Sequence, residues 1–125
     1  MITLYGINNC DTVKKSQKWL IKNGIDYLFY DFKKQDLTEE LLKKFISMSD
    51  WSVLLNKRST TFRNLPDSVK NNLTDEVLFE AVLAQPTLLK RPLLHIPVQD
   101  RLTTESEDLL QLGFKEEQYK ITFNI

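Results

Sequence analysis

One cysteine is all this chain carries, and that scarcity excludes an internal disulfide. With a single histidine beside it, Cys and His ligands are too few for a closed metal centre, and no metal site is expected. Charge of one sign is lacking as well. The 17 Lys and Arg are matched by 17 Asp and Glu, so no overall field exists to hold nucleic acid or an anionic membrane, and any anion site must be local. The three glycines form neither a phosphate-cradling loop nor a dinucleotide fingerprint. No apolar run approaches the ~20 residues that cross a bilayer, and no basic segment followed by an apolar stretch opens the chain. Repeats, low-complexity stretches and flexible linkers are absent too. An unpaired thiol suits a reducing compartment. The expectation is a cytoplasmic monomer with no tightly bound cofactor, no direct nucleic-acid partner and no membrane association.

What is present points to one soluble α/β domain: 125 residues, 42% hydrophobic and 27% charged. Met1 to Tyr5 reads as a buried strand, and Asp11 to Asn23 as a helix closed by Gly24. Cys10 therefore stands where a strand hands over to a helix. Unpaired backbone N–H groups and the positive end of the helix dipole converge there, and both favour a thiolate over a thiol. Lys14 and Lys15 add positive charge. Asn8 and Asn9 suit the turn and cap before the helix.

Ile25 to Tyr30, dense in β-branched and aromatic residues, reads as a second strand and completes a βαβ opening with a parallel pair. The pattern then turns helical. Thr38 caps a helix carrying Leu41, Leu42, Phe45 and Ile46, and Trp51 to Leu55 forms a short helical turn. Asn56 to Thr61 reads as a polar loop, Pro66 as the first residue of a helix, and Thr74 as the cap of another whose apolar face is Val77, Leu78, Ala81 and Val82. Leu93 to Ile96, bounded by Pro92 and Pro97, resumes a strand. Asp100 to Asp108 is a loop, Leu109 to Leu112 a strand pairing with Leu93 to Ile96, and Lys115 to Phe123 a final helix. His95 reads as a core residue with no cysteine or carboxylate at ligand spacing. Trp19 and Trp51 read as packing residues, and Arg63 as a solvated one.

Strand, cysteine at a helix start, second strand, and proline before a later strand together resemble the thioredoxin fold. The local strings narrow this: Leu4 to Ile7, Asn9-Cys10-Asp11-Thr12 with the lysine pair, Leu54 to Arg63, Lys90-Arg91-Pro92-Leu93-Leu94, Gly113-Phe114 and Tyr119. In that order they resemble the ArsC/Spx family, and within it the YffB-type thiol reductases. The resemblance implies a thioredoxin-like core, about residues 1–34 and 87–125, around a helical insertion of about 35–86. It also implies that Cys10 is the nucleophile and that Arg91 precedes a cis proline, Pro92. Arg58 is implied to lie in a loop facing the thiol, with Asn9 and Thr12 among the substrate-binding residues. The activity implied is glutathione-dependent thiol–disulfide exchange, with glutathione or a glutaredoxin-type protein as partner.

Three departures refine this. Val13 stands where dithiol enzymes and Spx regulators have the second cysteine of Cys-x-x-Cys, so an external thiol must resolve Cys10. Gly6 stands where the arsenate reductases have a histidine, and Thr104 aligns with their third arginine. Arg58 is offset from another of their arginines, whose ungapped counterpart is Asn56. The alternatives are an Spx-like module that docks on RNA polymerase, and a true arsenate reductase.

Overall fold

Four short strands, β1 (Thr3–Gly6), β2 (Leu28–Asp31), β3 (Leu93–Ile96) and β4 (Leu109–Leu112), form one mixed sheet in the order β2-β1-β3-β4. In this computed structural model, which describes residues 1–101 and 106–125, β1 runs parallel to β2 and antiparallel to β3, and β4 runs antiparallel to β3. That order and polarity are the thioredoxin-like α/β arrangement. The backbone divides into two units: Met1–Asp36 with Arg91–Ile125, and Leu37–Lys90.

In the sheet unit, α1 (Asp11–Lys22) and α7 (Glu116–Thr122, numbered after the five helices of the other unit) cover one face. The cluster beneath them joins Leu4, Leu94 and Ile96 of the sheet to Val13, Trp19, Leu20, Tyr119 and Phe123. Val13, Ser16 and Leu20 stand three, four and seven residues apart on α1 and, with Trp19, fall on one buried stripe. Trp19 meets the Tyr119 ring edge-on at 5.3 Å between centroids, and Phe114 meets it at 4.7 Å. The Tyr119 hydroxyl is hydrogen-bonded at 2.7 Å to that of Ser16, the polar residue that α1 buries in this stripe. Burial pushes the Tyr119 phenol up to about 12, although the Ser16 bond pulls the other way.

The second strand starts three residues later than its composition predicts. Helix α1 ends in a Schellman motif: Gly24, at φ 68°, donates to the Ile21 carbonyl and Ile25 donates to that of Leu20. The Ile25 amide is thus committed to the helix end, and pairing with β1 begins only at Leu28, opposite Thr3.

The helical unit contains α2 (Glu39–Met48), α3 (Trp51–Leu54), α4 (Thr60–Arg63), α5 (Asp67–Lys70) and α6 (Asp75–Ala84), followed by a 3-10 turn, Pro86–Leu88. Thr38, Asp50, Ser59 and Thr74 cap four of these helices through side-chain oxygens. The predicted polar loop 56–61 ends early, because the Ser59 hydroxyl accepts from Phe62 N–H and starts α4. Pro66 is the N-cap of α5, not its first residue: its ψ of 147° is extended.

The unit boundaries fall two and four residues beyond the expected 34/35 and 86/87. Lys34 and Gln35 both donate to the Asp31 carbonyl at the end of β2. On the other side, Asn56 donates to Leu88 and Lys90 to Leu54, around a bridge between Leu55 and Leu89, and this holds residues 88–90 to the helical unit. Among the described residues no helix is long and apolar enough to cross a membrane. Part of the expected loop 100–108, including Thr104, lies outside them.

Candidate functional site

The end of β1 builds the site. After Gly6 the chain turns through Ile7, Asn8 and Asn9, and Cys10 N–H donates back to the Ile7 carbonyl at 3.3 Å. Cys10 is the N-cap of α1, with extended φ −100° and ψ 124°, and its carbonyl accepts from Lys14 N–H at 2.9 Å. Its sulfur makes no capping bond. The first-turn amides of α1 consequently keep their donors for another acceptor. The side chain is half-buried and rests against the edge of the apolar cluster. Thr12 is half-buried in the first turn, while Asn9 is exposed.

Pro92 enters the same end of the sheet from the other side. Tyr5 pairs with Leu93, so Pro92 falls one register position further, beside Gly6, where β1 hands over to the cysteine turn. The Arg91–Pro92 peptide is cis, and the Pro92 carbonyl accepts from Gly113 N–H at 2.8 Å. Arg91 is half-buried, and its Nε is buried with no hydrogen-bond partner among the described residues. A guanidinium N–H in that state costs free energy unless an acceptor reaches it.

Asn9, Cys10, Thr12, Arg91 and Pro92 therefore belong to one unit, with the cysteine turn and the proline at one end of its sheet. Arg58 belongs to the helical unit. It is exposed between α3 and α4, and its backbone N–H donates to the Asn56 side chain at 3.1 Å. Its guanidinium has no partner among the described residues.

Two features escaped the sequence reading. Gly6 is fixed by α1: a Cβ added there would lie 2.8 Å from Val13 Cγ2, inside any real contact distance. A glycine followed seven residues later by a β-branched residue is the only trace of this in the sequence. His95 is the buried core residue expected, and it also has a carboxylate partner that spacing along the chain does not show. Its Nε2 lies 2.9 Å from Asp108 Oδ2, and the other Asp108 oxygen accepts from Val98 N–H. Pairing of β3 with β4 brings Asp108 back beside His95, a proximity that spacing along the chain does not reveal. The pair braces the segment entering β4, and among the described residues no set of three or more His, Cys, Asp or Glu is placed for a metal.

Known proteins share this arrangement. The solved structure of a YffB protein is 33% identical, covers 98% of this chain and 99% of its own, and superposes with a TM-score of 0.81. The solution structure of an arsenate reductase (ArsC) related protein from Brucella melitensis is 42% identical over 99% of this chain and 95% of its own, with a TM-score of 0.72. Global transcriptional regulator Spx 2 of Bacillus anthracis is 25% identical over 122 residues, 96% of this chain and 85% of that one. The ArsC family pattern itself matches residues 5–122, nearly the whole length. With its β2-β1-β3-β4 sheet, its cysteine at the head of α1 and its cis Pro92, this chain belongs to the ArsC family.

Proposed function

We propose that this protein is a monothiol, glutathione-dependent thiol–disulfide oxidoreductase of the cytoplasm, acting as a monomer without a bound cofactor. The observation that carries the reading is the half-exposed Cys10 at an uncapped helix N-terminus, at the end of the sheet where cis Pro92 enters. The Cys10 thiolate attacks one sulfur of a substrate disulfide. A Cys10–sulfur bond forms, the substrate S–S bond breaks, and the leaving thiolate takes up a proton. A glutathione thiolate then attacks the substrate-derived sulfur, or a glutaredoxin-type protein does so, and Cys10 leaves as thiolate.

Free amides at the head of α1 stabilise the anion before attack and again as it leaves. Arg91 acts as a forked donor to a carboxylate of the incoming thiol, a geometry that lysine does not reproduce. The buried, unpartnered Nε of Arg91 supports that role. Asn9, Thr12 and Pro92 line the approach to the sulfur. Val13 in place of a second cysteine favours an external resolving thiol over an internal disulfide.

The test is glutathione-dependent reduction of a small disulfide by wild type and by Cys10→Ser. Wild-type turnover with at least a roughly 1,000-fold loss in the variant is expected, since removing a nucleophile leaves only binding. Equal rates would sink the reading.

Similarity to a global transcriptional regulator over 96% of the chain favours a second reading, a module that docks on RNA polymerase. Capture of polymerase subunits by both wild type and Cys10→Ser, with no turnover by either, would favour it. Arsenate reduction is the third reading, disfavoured by Gly6 at the histidine position. Glutathione- and glutaredoxin-dependent arsenate turnover would restore it.

A further inference from the structure

Beside the cysteine turn lies a groove of about 370 Å³ lined by Asn8, Phe29, Asp31, Lys34 and Gln35. It sits at the C-terminal ends of the parallel strands β1 and β2, where Gly6 and Asp31 are register partners. Asp31 is only 6% exposed, an unusual burial for a carboxylate. Its Oδ1 accepts from Lys33 N–H at 2.9 Å, and its Oδ2 has no partner among the described residues. Lys34 lines the same groove yet forms no ion pair with Asp31 or with any other described residue. One small groove thus offers an anionic and a cationic group that do not neutralise each other. Two side-chain amides and one aromatic wall complete it.

A ligand end carrying both an ammonium and a carboxylate complements that pattern. We propose that the groove receives the zwitterionic γ-glutamyl end of glutathione, with the ammonium on Asp31 and the carboxylate on Lys34. The assignment rests on the glutathione-linked reading and gives that reading its specificity. Asn8, one wall of the groove, lies two residues before Cys10, at most about 7 Å along the backbone, a separation comparable with the reach of a γ-glutamyl arm. The volume suits a small polar group and has no room for a folded segment of a partner protein. Asp31 and Lys34 are positioning residues, since neither touches the exchanging sulfurs.

The test uses non-reacting ligands, so that binding is read apart from turnover. S-methylglutathione is titrated against the full chain, by calorimetry or by amide shifts, alongside S-methylcysteinylglycine, which lacks the γ-glutamyl group. Wild type and Cys10→Ser should bind S-methylglutathione alike, and the truncated ligand about tenfold or more weaker. Asp31→Asn keeps an oxygen for Lys33 N–H, and Lys34→Met alters an exposed side chain; each should weaken S-methylglutathione about five- to tenfold and leave the truncated ligand unchanged. Equal affinity for the two ligands in wild type overturns the proposal even if Asp31→Asn fails to fold. So does a Lys34→Met protein that binds as wild type does. The turnover comparison of wild type with Cys10→Ser judges the enzyme reading separately.

Discussion

The two units hold their helices in different ways. In the helical unit, Thr38, Asp50, Ser59 and Thr74 each place a side-chain oxygen on a first-turn amide, so four short helices are closed by residues at their own doorsteps. In the sheet unit, neither α1, which starts from Cys10, nor α7, which starts from Lys115, has a side-chain cap. Those helices are held instead by residues distant in sequence, such as Ser16 against Tyr119. Local capping stabilises a helix by satisfying its end. Packing from afar stabilises it while leaving the end free, and the free end of α1 is where the thiol sits.

Perturbations should separate the two modes. The largest effect is expected from alkali on the sheet unit. The folded Tyr119 phenol titrates at about 12, against 10.0 for the ordinary group, so between these values the unfolded chain has lost a proton that the folded one keeps. Stability is intact below pH 10 and falls as pH rises through the window, by up to about 3 kcal/mol from this residue. Urea unfolding at about pH 9 and pH 11, repeated on Tyr119→Phe, checks it. A slope unchanged by the substitution would contradict the assignment. Burial also raises Tyr5 and Tyr27, which leaves a smaller residual slope of the same sign.

Next in size is Gly6→Ala. A Cβ 2.8 Å from Val13 Cγ2 forces β1 and α1 apart, at a cost of about 1–3 kcal/mol. Val13→Ala in the same chain should recover part of that, giving a non-additive double-mutant cycle. Additive losses would mean that the strand yields and the helix does not. In the helical unit, Thr38→Ala and Thr74→Ala should each cost about 1 kcal/mol and add within a few tenths. Coupling between them would erase the contrast drawn above. Smallest, and opposite in sign, is Cys10→Ser. Serine in the N-cap geometry of Cys10 can accept from a first-turn amide, so this variant should be more stable by about 0.5–1 kcal/mol in denaturant melts.

The sequence makes some of this legible and hides the rest for physical reasons. The apolar run Leu93 to Ile96 between two prolines became β3 at its predicted residues, and Thr38 and Thr74 cap as their side chains foretell. Cues carried within a few residues survive folding. The start of β2 does not follow from Ile25 to Tyr30, because the helix end before it takes the Ile25 amide. The Asp108 partner of His95 and the groove at Asp31 depend on strand register, which composition does not encode. Cys10 at a helix start could be read from a single turn of chain. The orphan Nε of Arg91 could not, since it is defined by what surrounds it.

The close approach of residues 6 and 13 sets the order in which these two positions can change. A histidine placed first at Gly6 meets a valine methyl with nowhere to go, whereas a cysteine placed first at Val13 has one γ atom where valine has two and clears space under the strand. Cysteine at residue 13 is therefore open in a single step, and histidine at residue 6 has to follow it or a similar shrinkage of the helix residue. Neighbouring positions that look like independent choices behave as a ratchet.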